Sequence, residues 1–465
     1  MLTISDGKPG ISRRDFLTIG SLALGGLSLS SLLAGRARAA SEALSHVTGK
    51  SVIFLFQQGG PSQFETFDPK PEAPEGIRTV TGTVQTSIPG VHFGDTMSQL
   101  AKLAHKLTIV RSFQTNNAGH NIEPLVSADT LNANLGSLYS RIVGATRPGS
   151  GMPTNAVLFP QTVCSDVAKG NARGDISATG ALGQNCAPFV PGGGGQLQKN
   201  MRLTLPRDRF EDRRQLLTAL NKLNREVEAM EQVKNVDDVQ NQAYQLLLGG
   251  RVADALDLSK EDKEVVDRYD TARYVRPDGW SKAARGKAGM YTGSAKSVGK
   301  LLLLGRRLCE AGCGFVTIHA DYEGVWDMHA DGNNLNVADG MEAIGRPFDH
   351  AVAAFIQDVE ARGLQDKIML VCCGEMGRSP RLNKTGGRDH WAKLAPLLLY
   401  GGGIPAGKVI GQSTKDGGEP ADNNLTPKNL ISTILHTVFD VGQLRLRPSA
   451  AAISKLAEIS PIGLS

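Results

Sequence analysis

Cysteine is scarce in this sequence and patternless. Cys164, Cys186, Cys309, Cys313, Cys372 and Cys373 form no pair of CxxC motifs, which excludes a zinc ribbon. Cys372 and Cys373 lie inside an apolar run and read as buried thiols, and Cys309 and Cys313 have the i, i+4 spacing of helix packing. Aromatic residues are few, at 5%. An excess of charge is missing too. Residues 1–39 hold five Lys or Arg and two Asp, so the remainder of the chain carries a net charge of only +2. That balance gives no electrostatic footprint for nucleic acid. An uninterrupted membrane-length apolar run is absent from the N-terminus, where five Gly or Ser residues fall between Gly20 and Ser28.

What the N-terminus does contain is Ser12-Arg13-Arg14-Asp15-Phe16-Leu17, a mild apolar run to Ala34, then Ala37-Arg38-Ala39. The pattern reads as a twin-arginine export signal over residues 1–39 with a small-residue cleavage site, the alternative being a membrane anchor. It predicts a mature chain of residues 40–465 in the periplasm or cell envelope, without a transmembrane segment. Export after folding in a reducing compartment argues against a disulfide framework and for a cofactor loaded before export.

The composition is otherwise ordinary for a globular chain, with 40% apolar and 21% charged residues, and 54 Gly foretell extensive loops. Apolar runs without alternation at 52–56, 107–110, 315–318, 368–373 and 397–400 suit strands buried on both faces. Helical spacing falls between them, at 97–107, from Ile122 onward, 298–311, 347–362 and 427–439. A charged helical insertion spans 207–270, and residues 145–200 read as irregular. The recurring strand–helix–strand order predicts an α/β fold with a mostly parallel sheet. The residues after each run are polar or Gly-rich, and ligands bind at that edge of open α/β sheets.

The richest segment follows the run at 368–373. Glu375, Arg378, Arg388, Asp389 and His390 lie within sixteen residues. Such a set suits a metal ion or an anion, and equally an Arg–carboxylate network bracing two loops. Asp327 and His329, two apart past the run at 315–318, point the same way if the loop is extended. Mixed imidazole and carboxylate donors suit zinc, manganese or iron, whereas oxygen alone suits calcium or magnesium. The polar stretch Arg111 to His120 after the run at 107–110 suits a nucleophile or an anion-binding helix N-terminus, and equally a capped helix start with His120 as a helix-cap partner. Two motifs are decoys. Gly402 to Lys408 matches a P-loop up to the Lys, but Val409 replaces the magnesium-binding Ser or Thr, so it reads as a surface turn. Cys186-Ala187-Pro188 starts like a sulfatase motif, but Phe189 and Val190 end the match.

These motifs together resemble a family of exported bacterial proteins filed as domain of unknown function 1501, a branch of the alkaline phosphatase and sulfatase superfamily. The resemblance rests on Gly59-Gly60-Pro61-Ser62, Thr66-Phe67-Asp68-Pro69-Lys70, Val110-Arg111-Ser112 and Trp326-Asp327-Met328-His329. It continues through Gly374 to Pro380, Gly387 to Trp391 and Gly401 to Gly411. It implies an alkaline-phosphatase-like three-layer αβα sandwich with a divalent metal (zinc, manganese or calcium) at the sheet's C-terminal edge. It implies Asp327, His329 and His390 as ligands of one metal, with Asp389 beside His390 and Glu375 at a neighbouring position. It puts a nucleophile within Ser112 to Asn116, for which Thr115 is the choice, and Arg378 or Arg388 on the substrate anion. Small anionic esters or glycans are the implied substrates. The chain departs from the pattern at Ser62-Gln63-Phe64-Glu65, where members usually read Ser-His-x-Asp, and at Gln57 and Gln58, where the superfamily has a metal-binding Asp. These departures leave two expectations: a metal-dependent hydrolase of phosphate or sulfate esters, or a non-catalytic envelope protein with binding or assembly partners.

Overall fold

The structure is a computed structural model that describes residues 46–148, 150–168, 170–192, 209, 212, 251–276, 280, 287–320 and 324–463. The expected export signal and most of the helical insertion at 207–270 lie outside the described residues. Two units are distinguished, residues 1–47 and 48–465, and the second carries the fold described here.

Eleven strands are described in chain order: β1 Ser51–Phe56, β2 Thr83–Gln85, β3 His92–Gly94, β4 Leu107–Val110, β5 Asn155–Leu158, β6 Phe315–Ile318, β7 Ile368–Cys373, β8 Gly377–Leu382, β9 Arg388–Trp391, β10 Leu397–Gly401 and β11 Lys408–Ile410. Seven of them form one sheet in the order β11-β4-β10-β7-β1-β6-β5. β1 pairs in parallel with β6 and β7, β5 with β6, and β11 with β4, while β10 runs antiparallel to both β4 and β7. Every residue of β1 and β7 is buried, because each central strand is covered on both faces.

Four longer helices cover the sheet: α1 Leu135–Val143, α2 Lys287–Glu310, α3 Arg346–Ala361 and α4 Pro427–Val438. Ile53, Leu55, Leu370 and Cys372 point to one face and join the core cluster built on α2 and α3. On the other face Thr437 of α4 meets Met369, and Tyr139 of α1 stacks on Phe439. The result is helix, sheet and helix in three layers. No helix among the described residues is long and apolar enough to cross a membrane.

Three expectations change. The helix expected from Ile122 begins instead at Leu135, because Pro124 interrupts the segment and Asn134 supplies the cap, accepting from Gly136 N–H. The segment 145–200 contains β5, a four-residue edge strand too short to stand out among its Gly and Pro neighbours. The run at 397–400 is a strand, but its reversed direction carries Gly401 to Gly403 to the sheet's N-terminal edge. The P-loop decoy is therefore a turn remote from the edge where β1, β4, β6 and β7 end, and the loop before β10 is the one that reaches that edge.

Candidate metal centre

Four loops meet at the C-terminal edge. The loop after β4 brings His120, the loop after β6 brings Asp327 and His329, and the turn after β7 brings Glu375. His390 sits on β9, one residue from the open end of a hairpin that packs Arg378 opposite it. Gly59, just past β1, lets these loops close together. Its φ of +118° lies in the left-handed region, and a Cβ there would stand 2.8 Å from the backbone nitrogens of Trp326 and Asp327. Its own N–H donates to Glu375 Oε1 at 2.8 Å.

Asp327 is the hub. Its Oδ1 lies 2.8 Å from His329 Nε2 and 3.2 Å from His390 Nε2, and its Oδ2 lies 3.2 Å from His120 Nε2. The ligand atoms offered by His120, Asp327 and His390 all fall within 4.8 Å of one another. The opposite nitrogen of each imidazole rests on an oxygen: His120 Nδ1 on Glu375 Oε1 at 2.9 Å, His329 Nδ1 on Asp389 Oδ1 at 3.2 Å, and His390 Nδ1 on the Ala118 carbonyl at 2.8 Å. With Nδ1–H donated to an oxygen, each Nε2 faces Asp327, and loss of its proton would turn the Nε2 lone pair toward a shared cation, which is how histidines are oriented toward metals.

Charge at the centre is strongly coupled. Burial alone would raise the Asp327 pKa, but hydrogen bonds from the three imidazoles and the Arg378 charge outweigh it and hold the carboxyl well below the usual range. Burial alone would lower the His120 pKa; Asp327 and Glu375 outweigh it and raise the ring to about 9. His329 is raised as well, by its hydrogen bond to Asp327. Glu375 is fully buried, and its Oε2 has no hydrogen-bond partner among the described residues. A cluster of imidazoles around one buried carboxylate, with an orphaned carboxylate oxygen beside it, is a donor set that fits a divalent cation.

The structure therefore brings together Asp327, His329, His390, Glu375 and Asp389. Glu375 stands behind His120, so the contacts show it as the group that orients this imidazole. Asp389 is exposed and stands behind His329. His120 is no helix cap: Ile122 starts no helix, and the imidazole turns into the centre. Its signal in the sequence was its place past a buried strand in a polar loop, which only the meeting of four loops turns into a candidate ligand.

The two arginines have other tasks. Arg378 is 1% exposed and donates to the carbonyls of Gly59, Gly60, Trp326 and Arg388 and to Asp327 Oδ1, at 2.7 Å in the last case. Arg388 is fully buried over the Phe64 ring, pairs with Glu65 at 3.1 Å, and donates to the carbonyls of Ile77, Arg78, Ser379 and Pro380. Neither guanidinium is turned outward to hold a substrate anion; the bracing alternative describes them both. The residues that depart from the family pattern serve the same frame. Gln63 bonds both the N–H and the carbonyl of Arg378, Glu65 neutralises Arg388, and Gln58 meets His319 Nε2 and Arg173 N–H. Thr115 is buried, and its hydroxyl donates to the Asn117 carbonyl at 3.5 Å. No contact among the described residues joins it to an imidazole or a carboxylate.

The model of the family described as "Protein of unknown function (DUF1501)" matches residues 49–448. Comparison with curated proteins gave no match. Among solved structures, a sulfatase from Pseudoalteromonas sp. is 10% identical, with 87% of this chain and 70% of that chain covered, at a TM-score of 0.35. An alkaline phosphatase mutant with magnesium bound is 14% identical, with 80% and 96% covered, at 0.26. A phosphonate monoester hydrolase of Agrobacterium radiobacter is 11% identical, with 83% and 73% covered, at 0.26. Likenesses this distant place no residue and assign no reaction.

Proposed function

The chain belongs to the DUF1501 family, and from that premise we propose that it is an exported, metal-dependent hydrolase of phosphate or sulfate esters. The carrying observation is the shared orientation of His120, His329 and His390, each with Nδ1 on an oxygen and Nε2 toward Asp327. His120, Asp327 and His390 are the ligands, with His329 beside them. Export rests on the leader motif at residues 12–17 and 37–39.

A bound divalent cation supplies Lewis-acid polarisation of the ester's oxygens. The chain's own residues prepare the place. Arg378 keeps Asp327 ionised from the buried side, Glu375 fixes the tautomer of His120, and Asp389 fixes that of His329. Imidazole with carboxylate favours zinc, manganese or iron over calcium in this set.

A second reading, a metal-binding envelope protein that hydrolyses nothing, has its own support. Thr115 lacks a neighbouring base among the described residues, and both arginines are spent on the frame. One experiment separates the two. The parent protein, purified without chelator, is measured for metal beside His390→Ala and then assayed on phosphate and sulfate esters. Stoichiometric metal in the parent alone, with turnover lost in the variant, supports the hydrolase. Metal without turnover supports the second reading. No metal in the parent, even after addition of zinc, manganese or iron, sinks both.

A further inference from the structure

A cavity of about 680 Å³ opens beside the centre, lined by His329, Asp331, Asn383, Lys384, Thr385 and Asp389 among others. That volume is in the range of small-molecule sites, roughly 300–1,000 Å³. It reaches the centre through His329, whose Nε2 touches Asp327. Its wall is rigid. The β8–β9 connection is bonded to the loop after β6 by Arg388 N–H to the Met328 carbonyl, Asn383 Nδ2 to the His329 carbonyl and Val337 N–H to the Gly386 carbonyl.

Most polar groups in this wall are already committed. Asn383 Oδ1 accepts from Thr385 N–H, the Thr385 hydroxyl and Gly387 N–H. Asp331 Oδ1 accepts from the N–H groups of Asn333 and Asn334. Lys384 differs: its ammonium makes no hydrogen bond or ion pair among the described residues. Other cations near the centre are occupied, with Arg378 and Arg388 spent on carbonyls and carboxylates and Lys287 bonded to Asn334. We propose that Lys384 is the cation that holds the tetrahedral oxyanion, phosphate or sulfate, of an ester seated in this cavity beside the metal centre.

This inference rests on the metal reading above, and its test keeps the two apart. The whole protein, loaded with metal, is titrated calorimetrically with inorganic phosphate and with sulfate, beside Lys384→Ala and Lys384→Arg, and metal content is measured in each. Lys384 is exposed, so its loss leaves the fold intact. The expected result is equal metal in all three proteins, with affinity for at least one anion about tenfold weaker in Lys384→Ala and largely kept in Lys384→Arg. Equal metal with unchanged anion affinity in Lys384→Ala overturns the inference alone, as does a metal-loaded parent that binds neither anion. A parent that takes up no metal overturns the metal reading and this inference with it.

Discussion

On the proposed reading, single side chains at the centre divide into those that donate to the metal and those that orient a donor, and substitution separates them. His120→Ala removes a donor and is expected to cost most of the metal, read as metal per protein after dialysis. Glu375→Gln keeps the shape but weakens the acceptor for His120 Nδ1, and a roughly 10–100-fold drop in metal affinity is expected. Equal affinities for parent and Glu375→Gln would show that the carboxylate does not orient the ring. Far from the centre, Glu261 gathers Arg306, Arg307 and Arg362 at 2.7–2.9 Å. Burial alone would raise its pKa, but these guanidiniums bring it down to about 2. A depressed folded-state pKa gives stability that is present above the unfolded value and lost as pH falls toward the folded one. Glu261→Gln is therefore expected to destabilise by on the order of 2 kcal/mol at pH 7, with a gap from the parent that narrows between pH 5 and pH 3. Urea unfolding at each pH reads the gap; one that is constant with pH would contradict the ion-pair account.

At the scale of elements, the direction of β10 builds the site. An antiparallel strand between β4 and β7 must be entered from the C-terminal edge, so the β8–β9 hairpin and His390 are held there. Gly59 allows the corresponding close approach in the loop after β1. Gly59→Ala puts a Cβ against the Asp327 backbone in a left-handed conformation. The expected outcome is a loss of ~1–3 kcal/mol from backbone strain alone, with metal affinity falling in parallel. A variant with parent-like thermal unfolding and metal content would show that the loops do not need this approach.

Across the whole molecule, the proposed centre is assembled from four loops, so metal bound there would be coupled to folding. Metal at 100 times its dissociation constant is expected to stabilise the parent by about 2.7 kcal/mol. Calorimetry with and without added zinc or manganese should show a higher Tm with metal, reversed by chelator and absent in His120→Ala. A Tm indifferent to metal would mean that the folded state has no preference for it.

The sequence by itself determined the layered α/β class. Runs such as 52–56 and 368–373 have no alternation, and a strand covered on both faces is the simplest way to bury them. It also marked Asp327, His329, Glu375, Asp389 and His390 by their places after such runs, because order along the chain is enough to put residues at a strand's end. Local order could not assign partners. Arg378 and His390 are separated by eleven residues yet face each other across a hairpin, while His120 and Glu375 are 255 residues apart and share a hydrogen bond. Which guanidinium is buried, which carboxylate oxygen is orphaned and which imidazole turns inward depend on how four loops pack against one another. Only the tertiary structure decided them, because burial and hydrogen-bond partners belong to neighbours in space.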